Sequence, residues 1–232
     1  MPLREPSIRL FAAQAVMRGR SRVAALAEAG EIGDAYDLAL NAVASACIRI
    51  DGRFGKYEAE SSRHGAIIAA YIAGLSLVEI AVLEGFGTQA ASLLRQELEA
   101  IAALEELRQG RRKETKTPNI AMVGTVPGSI YGDLSKIAHF SSTVALHSWI
   151  RHNRPLEDAP GPAEAFLVSP QHQPDSTIRL FALHTLLLLH LAEHQAIHYG
   201  QLYGIEPTDE EREFASQSLA ALQRSGMVQD AV

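Results

Sequence analysis

Residues Ile178–Leu191 read IRLFALHTLLLLHL, and this stretch decides the fold class. On a helix, Ile178, Leu180, Phe181, Leu183 and Leu186 to Leu189 point in every direction around the axis. A helix that is apolar all round is buried all round. His184, Thr185 and His190 must therefore face protein interior. Neither Gly nor Pro interrupts the segment between Asp175 and Tyr199, so the spacing predicts a long central helix ending near Tyr203. Such a helix needs a shell of other helices around it.

Working outward, that shell is written in caps and breakers. An Ala-rich helix covers about 8–29 and stops at Gly30. Asp34 caps a second reaching about Ile50, where Gly52 and Gly55 break it; a third runs from about Tyr57 to Leu83. Gly85 and Gly87 end the third, and Thr88 caps a fourth that reaches about Arg108. A fifth is expected from Ser129 to Ile150, and the capping box Thr208-Asp209-Glu210-Glu211 opens the last. No sustained period-2 alternation and no Asn-Gly or Asp-Gly hairpin turn is present. The expectation is one all-α domain over 1–232, a bundle of about seven helices. Its core covers about 8–204, with a Pro-rich surface loop at 151–174 and a C-terminal helix at 208–225.

Composition narrows the function classes. With 47% hydrophobic and 21% charged residues, the 232-residue chain is globular rather than disordered. Cys47 stands alone, which excludes an internal disulfide and a cysteine-based zinc site; it reads as a small core residue. A net charge of −6 argues against a general nucleic-acid coat, although Arg111, Arg112, Lys113 and Lys116 gather in one polar loop. The first residues lack an apolar signal region, so a cytoplasmic location is expected. Ala66–Leu83, AIIAAYIAGLSLVEIAVL, is long enough to cross a bilayer, but it contains Glu79 and lacks anchors at both ends. It reads as a buried core helix, with no membrane partner. Neither a phosphate-cradling P-loop nor a dinucleotide fingerprint is present, and no cofactor can be named.

Candidate sites lie where ionisable groups fall on apolar helices. Glu79 sits among Leu75, Leu77, Val78, Ile80, Val82 and Leu83, and a carboxylate there needs a cation. Arg95 and Glu99, four apart on the next helix, offer one, so Arg95 is expected to pair with Glu79, Glu99 or both. Tyr131, Ser135 and His139 form a stripe at i, i+4 and i+8 that supplies a donor, a hydroxyl and a base active near neutral pH. His190, His194 and His198 form another stripe. With Glu79, His190 and His194 make a candidate metal set. The HLAEH match at 190–194 resembles an inverted zinc-peptidase motif, but few residues remain downstream for a third ligand.

Two of these segments carry a resemblance. Ser92–Ala100, SLLRQELEA, resembles the L-R-x-x-x-E helix of a group of uncharacterised bacterial helical proteins. Ile130–His139, IYGDLSKIAH, resembles their Y-x-x-L-S-x-x-x-H helix. The group is similar in architecture to HEPN-type bundles, many of which are metal-independent RNases of toxin and phage-defence systems. The resemblance covers about 57–143 and implies a helical bundle acting on RNA, with a homodimer as partner state. Arg95, Glu99, Tyr131, Ser135 and His139 are its implied site residues. HEPN RNases use an arginine four to six residues before a histidine on one helix. Here only Lys136 stands near His139, and Arg95 lies on a different helix. Two further readings stand beside this one: a metal-dependent helical-bundle enzyme, and a non-catalytic module binding a protein or small ligand.

Overall fold

A computed structural model describes residues 5–55, 58–113, 115–124, 126, 128–142, 144, 151–152, 165–166 and 169–228. The helices are α1 (Glu5–Ile50), α2 (Ala59–Leu83), α3 (Gly87–Arg108), α4 (Gly128–Ala138), α5 (Pro174–Tyr203) and α6 (Asp209–Arg224). A 3-10 turn at Ile120–Met122 precedes α4, and two residues, Arg151–His152, pair antiparallel with Ala165–Phe166. The all-α class is as expected; the helix count among the described residues is six rather than seven. The first two expected helices form one, because Gly30 adopts φ 49° and ψ −129° and kinks the chain without ending it. Most of the Pro-rich loop lies outside the described residues.

α5 is the hub. From Phe181 to Ala192 none of its residues is exposed, and His184 and Thr185 are fully buried, as its all-round apolarity requires. Phe181, Leu187, Leu188 and Leu191 pack with Leu94, Leu98, Ile101 and Leu104 of α3, with Ile68, Leu75 and Val78 of α2 and with Val43 of α1 in one core. Each such side chain contributes about 1.5–3 kcal/mol on burial. The small residues Ala35, Ala39, Ala42 and Ala46 are buried on the second half of α1, which lies against α5 and α6. Ser218 of α6 donates to the carbonyl of Ala35 at 2.7 Å. The capping box forms as read: Thr208 accepts from the Glu211 amide at 3.1 Å, and Glu211 accepts from the Thr208 amide at 2.9 Å.

Two expectations need correction. α2 is not buried on all sides. It packs on α3 and α5, but Ala66, Ala69, Ala70, Ala73, Ser76 and Leu77 remain exposed. Both α2 and α5 are long and apolar enough to cross a membrane by length and composition, with 39% and 61% of their most apolar windows buried. α4, in turn, ends at Ala138, not Ile150. Phe140 takes φ 52°, and the amide of Ser141 reaches back to the Lys136 carbonyl at 3.0 Å, a left-handed helix stop built without glycine.

The turn between α2 and α3 does require glycine. Gly85 has φ 84°, and a Cβ there would stand 2.6 Å from the backbone of Gln171. This close approach lets the Gln171 amide donate to the Gly85 carbonyl at 3.3 Å, tying the turn to the segment that enters α5.

Candidate functional site

α3 and α4 run antiparallel, so Glu99 lies beside Tyr131 and Arg95 beside His139. Arg95 donates through Nε to Glu99 Oε1 at 2.9 Å, and the Tyr131 hydroxyl donates to the same oxygen at 2.7 Å. The Arg95 guanidinium carbon stands 5.9 Å from the Tyr131 ring centre. Arg95 Nη1 meets His139 Nε2 at 2.6 Å. A guanidinium has only donors, so this contact requires Nε2 to accept, with a ring proton on Nδ1. Ser135 lies one turn before His139 and half-buried beside the same groove. Thus four of the five residues of the implied set meet directly in space, although they come from two helices.

Burial in this groove is graded. The side chains of Arg95 and Glu99 are 23% and 21% exposed, while His139 is open to solvent. The bond to Glu99 holds the Arg95 guanidinium above its ordinary pKa, against partial desolvation. Desolvation first, and then the bond to Glu99, push the Tyr131 phenol up. Glu99 therefore aims two donors, and Arg95 carries that aim outward to the imidazole. Only two of the five guanidinium N–H groups are engaged in these two bonds. The groove can offer an anion a fixed positive charge beside a solvent-facing imidazole.

The other expected pairing does not form. Glu79 takes Arg22 of α1 at 2.5 Å rather than Arg95, and Arg18 takes Glu84 at 2.5 Å. α1 and α2 are antiparallel here, so arginines four apart on one helix meet carboxylates near the end of the other. Burial first, then Glu79, push the Tyr36 phenol well above its ordinary value beside this pair.

The histidine stripe of α5 spreads over several surroundings. His190 lines a cleft of about 500 Å³ with Arg49, Glu193 and Glu211. His194 Nε2 stands 3.8 Å from Glu105 Oε2 of α3. His198 stacks on His64 of α2, with ring centres 5.8 Å apart. Glu79 takes no part in any of these. Among the described residues, no group of three or more His, Cys, Asp or Glu side chains is arranged to hold a metal ion. The trio His190, His194 and Glu79 is therefore not brought together.

Sequence reasoning missed one cluster. Glu97 Oε2 meets His184 Nδ1 at 2.8 Å in the core, both fully or nearly fully buried. The Tyr71 phenol is pushed well above its ordinary value, by burial first and then by Glu97. The signal was present: His184 had to find a partner inside, and Glu97 sits on the apolar side of α3, between Leu94 and Leu98.

Comparison of the chain with family models, with curated proteins and with solved structures gives no match.

Proposed function

We propose that the groove between α3 and α4 is an acid–base site directed at the phosphodiester of RNA, in a HEPN-like bundle. The observation that carries this reading is the 2.6 Å contact between Arg95 Nη1 and His139 Nε2, made across two helices. RNA brings its own nucleophile, the 2′-hydroxyl, and needs a base to take its proton. His139 supplies that base once Arg95 Nη1 turns from Nε2 to the phosphate and frees the ring's one lone pair. The 2′-oxygen bonds to phosphorus as the P–O5′ bond breaks, leaving a 2′,3′-cyclic phosphate and a 5′-hydroxyl that takes its proton from the imidazolium or from water; the negative charge that grows on the non-bridging oxygens is stabilised by the Arg95 guanidinium. Glu99 touches no substrate in this scheme. It positions Arg95 and Tyr131, whose ring extends the groove. Phosphate contacts further along the strand fall to Arg111, Lys113 and Lys116, which are exposed past the C-terminal end of α3. Arg112 instead braces that loop, donating to Glu106 and to the carbonyls of Lys113 and Lys116.

The test is hydrolysis of tRNA and total RNA by the purified chain. Arg95→Ala and His139→Ala should each lower turnover by about 10²–10⁴-fold, with the solvent-exposed His139→Ala leaving the unfolding midpoint unchanged and Arg95→Ala costing about 1 kcal/mol or less. Turnover retained in EDTA separates this reading from the metal-dependent one. Intact RNA over the range from pH 5 to 9 would end it.

A further inference from the structure

A cavity of about 690 Å³ lies among the end of α1, the start of α2 and the end of α5, far from the Arg95–His139 groove in sequence and sharing no residue with it. Gly65, Ala69 and Ala73 follow one another at i, i+4 and i+8, so α2 turns its smallest side chains toward the space. Ile50, Leu202 and Tyr203 line the other walls. The chain leaving α1 crosses close over α5, where a Cβ at Gly55 would overlap the Leu202 side chain. The volume falls within the ~300–1,000 Å³ of small-molecule sites, which occur between the helices of bundles.

The deep end of the cavity is polar. Cys47, expected as a core residue, is only half-buried and lines the space beside Tyr199, which is 5% exposed. Gln195, wholly enclosed, donates from Nε2 to Cys47 Sγ at 3.2 Å and to the Tyr199 hydroxyl oxygen at 3.3 Å. Its Oε1 has no hydrogen-bond partner. Both Cys47 and Tyr199 therefore accept from the amide and keep their own hydrogens. At most one of those two hydrogens passes between the pair, so one donor is left for the cavity. Burial first, and then Cys47 against the opposing Gln195, hold the Tyr199 phenol above its ordinary value, so it stays a donor near neutral pH.

The rim is aromatic and balanced in charge. Phe54 lines the mouth with 98% of its surface exposed, a ring with nothing yet beneath it. Arg53 and Glu58 beside it carry opposite charges, and Arg53 Nε is engaged by the Arg49 carbonyl at 3.0 Å. His198 is held neutral, its value lowered by burial and then by His64. Tyr199 is tilted against both His198 and Tyr203, with ring centres 5.9 and 6.0 Å apart, so the wall presents ring faces and edges together.

We propose that this cavity binds an uncharged, planar aromatic molecule bearing one hydrogen-bond acceptor, with Phe54 closing over its ring from the rim and the Cys47–Tyr199 pair donating to the acceptor. The balanced rim gives no net charge to hold an ion. The small stripe of α2 opposite the tyrosines leaves a space into which a flat ring can slide, and a saturated chain would leave the deep donor without a partner. The inference does not depend on the RNA reading, and its failure would leave that reading untouched.

Alkylation of Cys47 by iodoacetamide in the full chain reads occupancy of the cavity, because the chain holds no other thiol. Acridine is the probe: it is flat, carries one ring nitrogen as acceptor, and is uncharged at about pH 8, where a thiol reacts as thiolate. Saturating acridine should suppress the alkylation, while decanol and naphthalenesulfonate at the same concentration should not. Phe54→Ala should raise the acridine concentration for half-protection by about 3–10-fold, with no loss of fold, since the ring is 98% exposed. Ala69→Trp, placed from the exposed face of α2, should fill the cavity and abolish the change in acridine fluorescence on binding. A thiol that never reacts, or alkylation that acridine leaves unchanged, overturns the inference. So does acridine binding that neither substitution weakens. Protection by decanol that matches that by acridine would assign the cavity to an acyl chain, and matching protection by naphthalenesulfonate would assign it to an anion; either result overturns the inference too.

Discussion

Glu97 and Glu99 stand one residue apart from a common neighbour on α3, yet they meet opposite surroundings. Each has a tyrosine and a histidine in its group. Glu97 turns inward to His184 and Tyr71, where the carboxylate is 6% exposed and the imidazole is wholly enclosed. Glu99 turns outward to Arg95 and Tyr131, and its group ends in a histidine open to solvent. The same residue types thus build a core brace in one direction and a candidate reactive edge in the other. The distinction rests on access and on donors left over. Inside, Glu97 Oε1 and His184 Nε2 find no hydrogen-bond partner and no ligand can reach them. Outside, the bonds to Glu99 and His139 use only two of the arginine's five N–H groups.

The largest effect separates the two carboxylates by stability. Glu97→Ala removes the partner of a buried imidazole and leaves space in the core, so it should cost about 3–5 kcal/mol. Glu99→Ala breaks partly solvated bonds at a groove and should cost about 1 kcal/mol or less. Urea unfolding of both variants reads the difference. Activity should invert the order, with Glu99→Ala lowering RNA turnover in the folded protein because Arg95 and Tyr131 lose their anchor. Equal stability losses for the two substitutions would remove the contrast.

How much of this was legible depends on what each residue needed. α5 could be read because an all-round apolar helix has one physical solution, and the capping box of α6 because its two bonds are local. The stripe of Tyr131, Ser135 and His139 could be placed on one helix face by spacing alone. Its junction with Arg95 could not, since nothing local sets the register between α3 and α4. The Glu79 pairing failed for the same reason: two cations lay within reach of the bundle, and tertiary packing chose Arg22 over Arg95. The end of α4 was invisible because Phe140 adopts a left-handed conformation that its side chain disfavours. The kink at Gly30 looked like a stop because a glycine can serve either purpose.

A smaller effect comes from the interior histidines, which extend the inward half of the comparison. Burial lowers His194 to about 4, with Glu105 opposing and His190, His64 and Arg108 reinforcing. Burial also lowers His190, against Glu193 and Glu105, and His198, where His64 reinforces it. The unfolded chain therefore binds more protons than the folded one once pH drops below about 6.5. Stability should be complete above that value and fall as pH moves toward 4, by roughly 1–3 kcal/mol by pH 5, at no more than about 1.4 kcal/mol per unit per histidine. Carboxylates whose folded values are lowered act in a different window. The Arg108 bond lowers Glu105 against desolvation. Burial raises Glu211, but bonds from Arg49, Thr208 and Ser45 outweigh it. Both hold their contribution until pH falls below their ordinary range, so pH 5–6.5 isolates the imidazoles. Denaturant midpoints across that window should slope upward with pH, and His194→Gln should flatten the slope. A flat profile in the unsubstituted chain would mean that water reaches these rings.

The smallest effect probes the outward half at its hinge. Phe140 holds φ 52° immediately after His139 and exposes 65% of its surface. Left-handed backbone strains a residue with a side chain by about 1–2 kcal/mol, while glycine adopts it freely at some cost in unfolded-state entropy. Phe140→Gly should therefore stabilise the chain by about 0.5–1 kcal/mol, a rise of about 1–4 °C in the unfolding midpoint. The turn that sets His139 against Arg95 keeps its geometry in this variant, so turnover of RNA should stay within about twofold if the turn is all that Phe140 provides. An aromatic ring beside the base is also a surface on which a nucleobase can stack. A variant that melts higher but cuts RNA tenfold more slowly would show that the strained turn is kept for the ring it presents, and Phe140→Tyr would then restore the rate where Phe140→Leu would not.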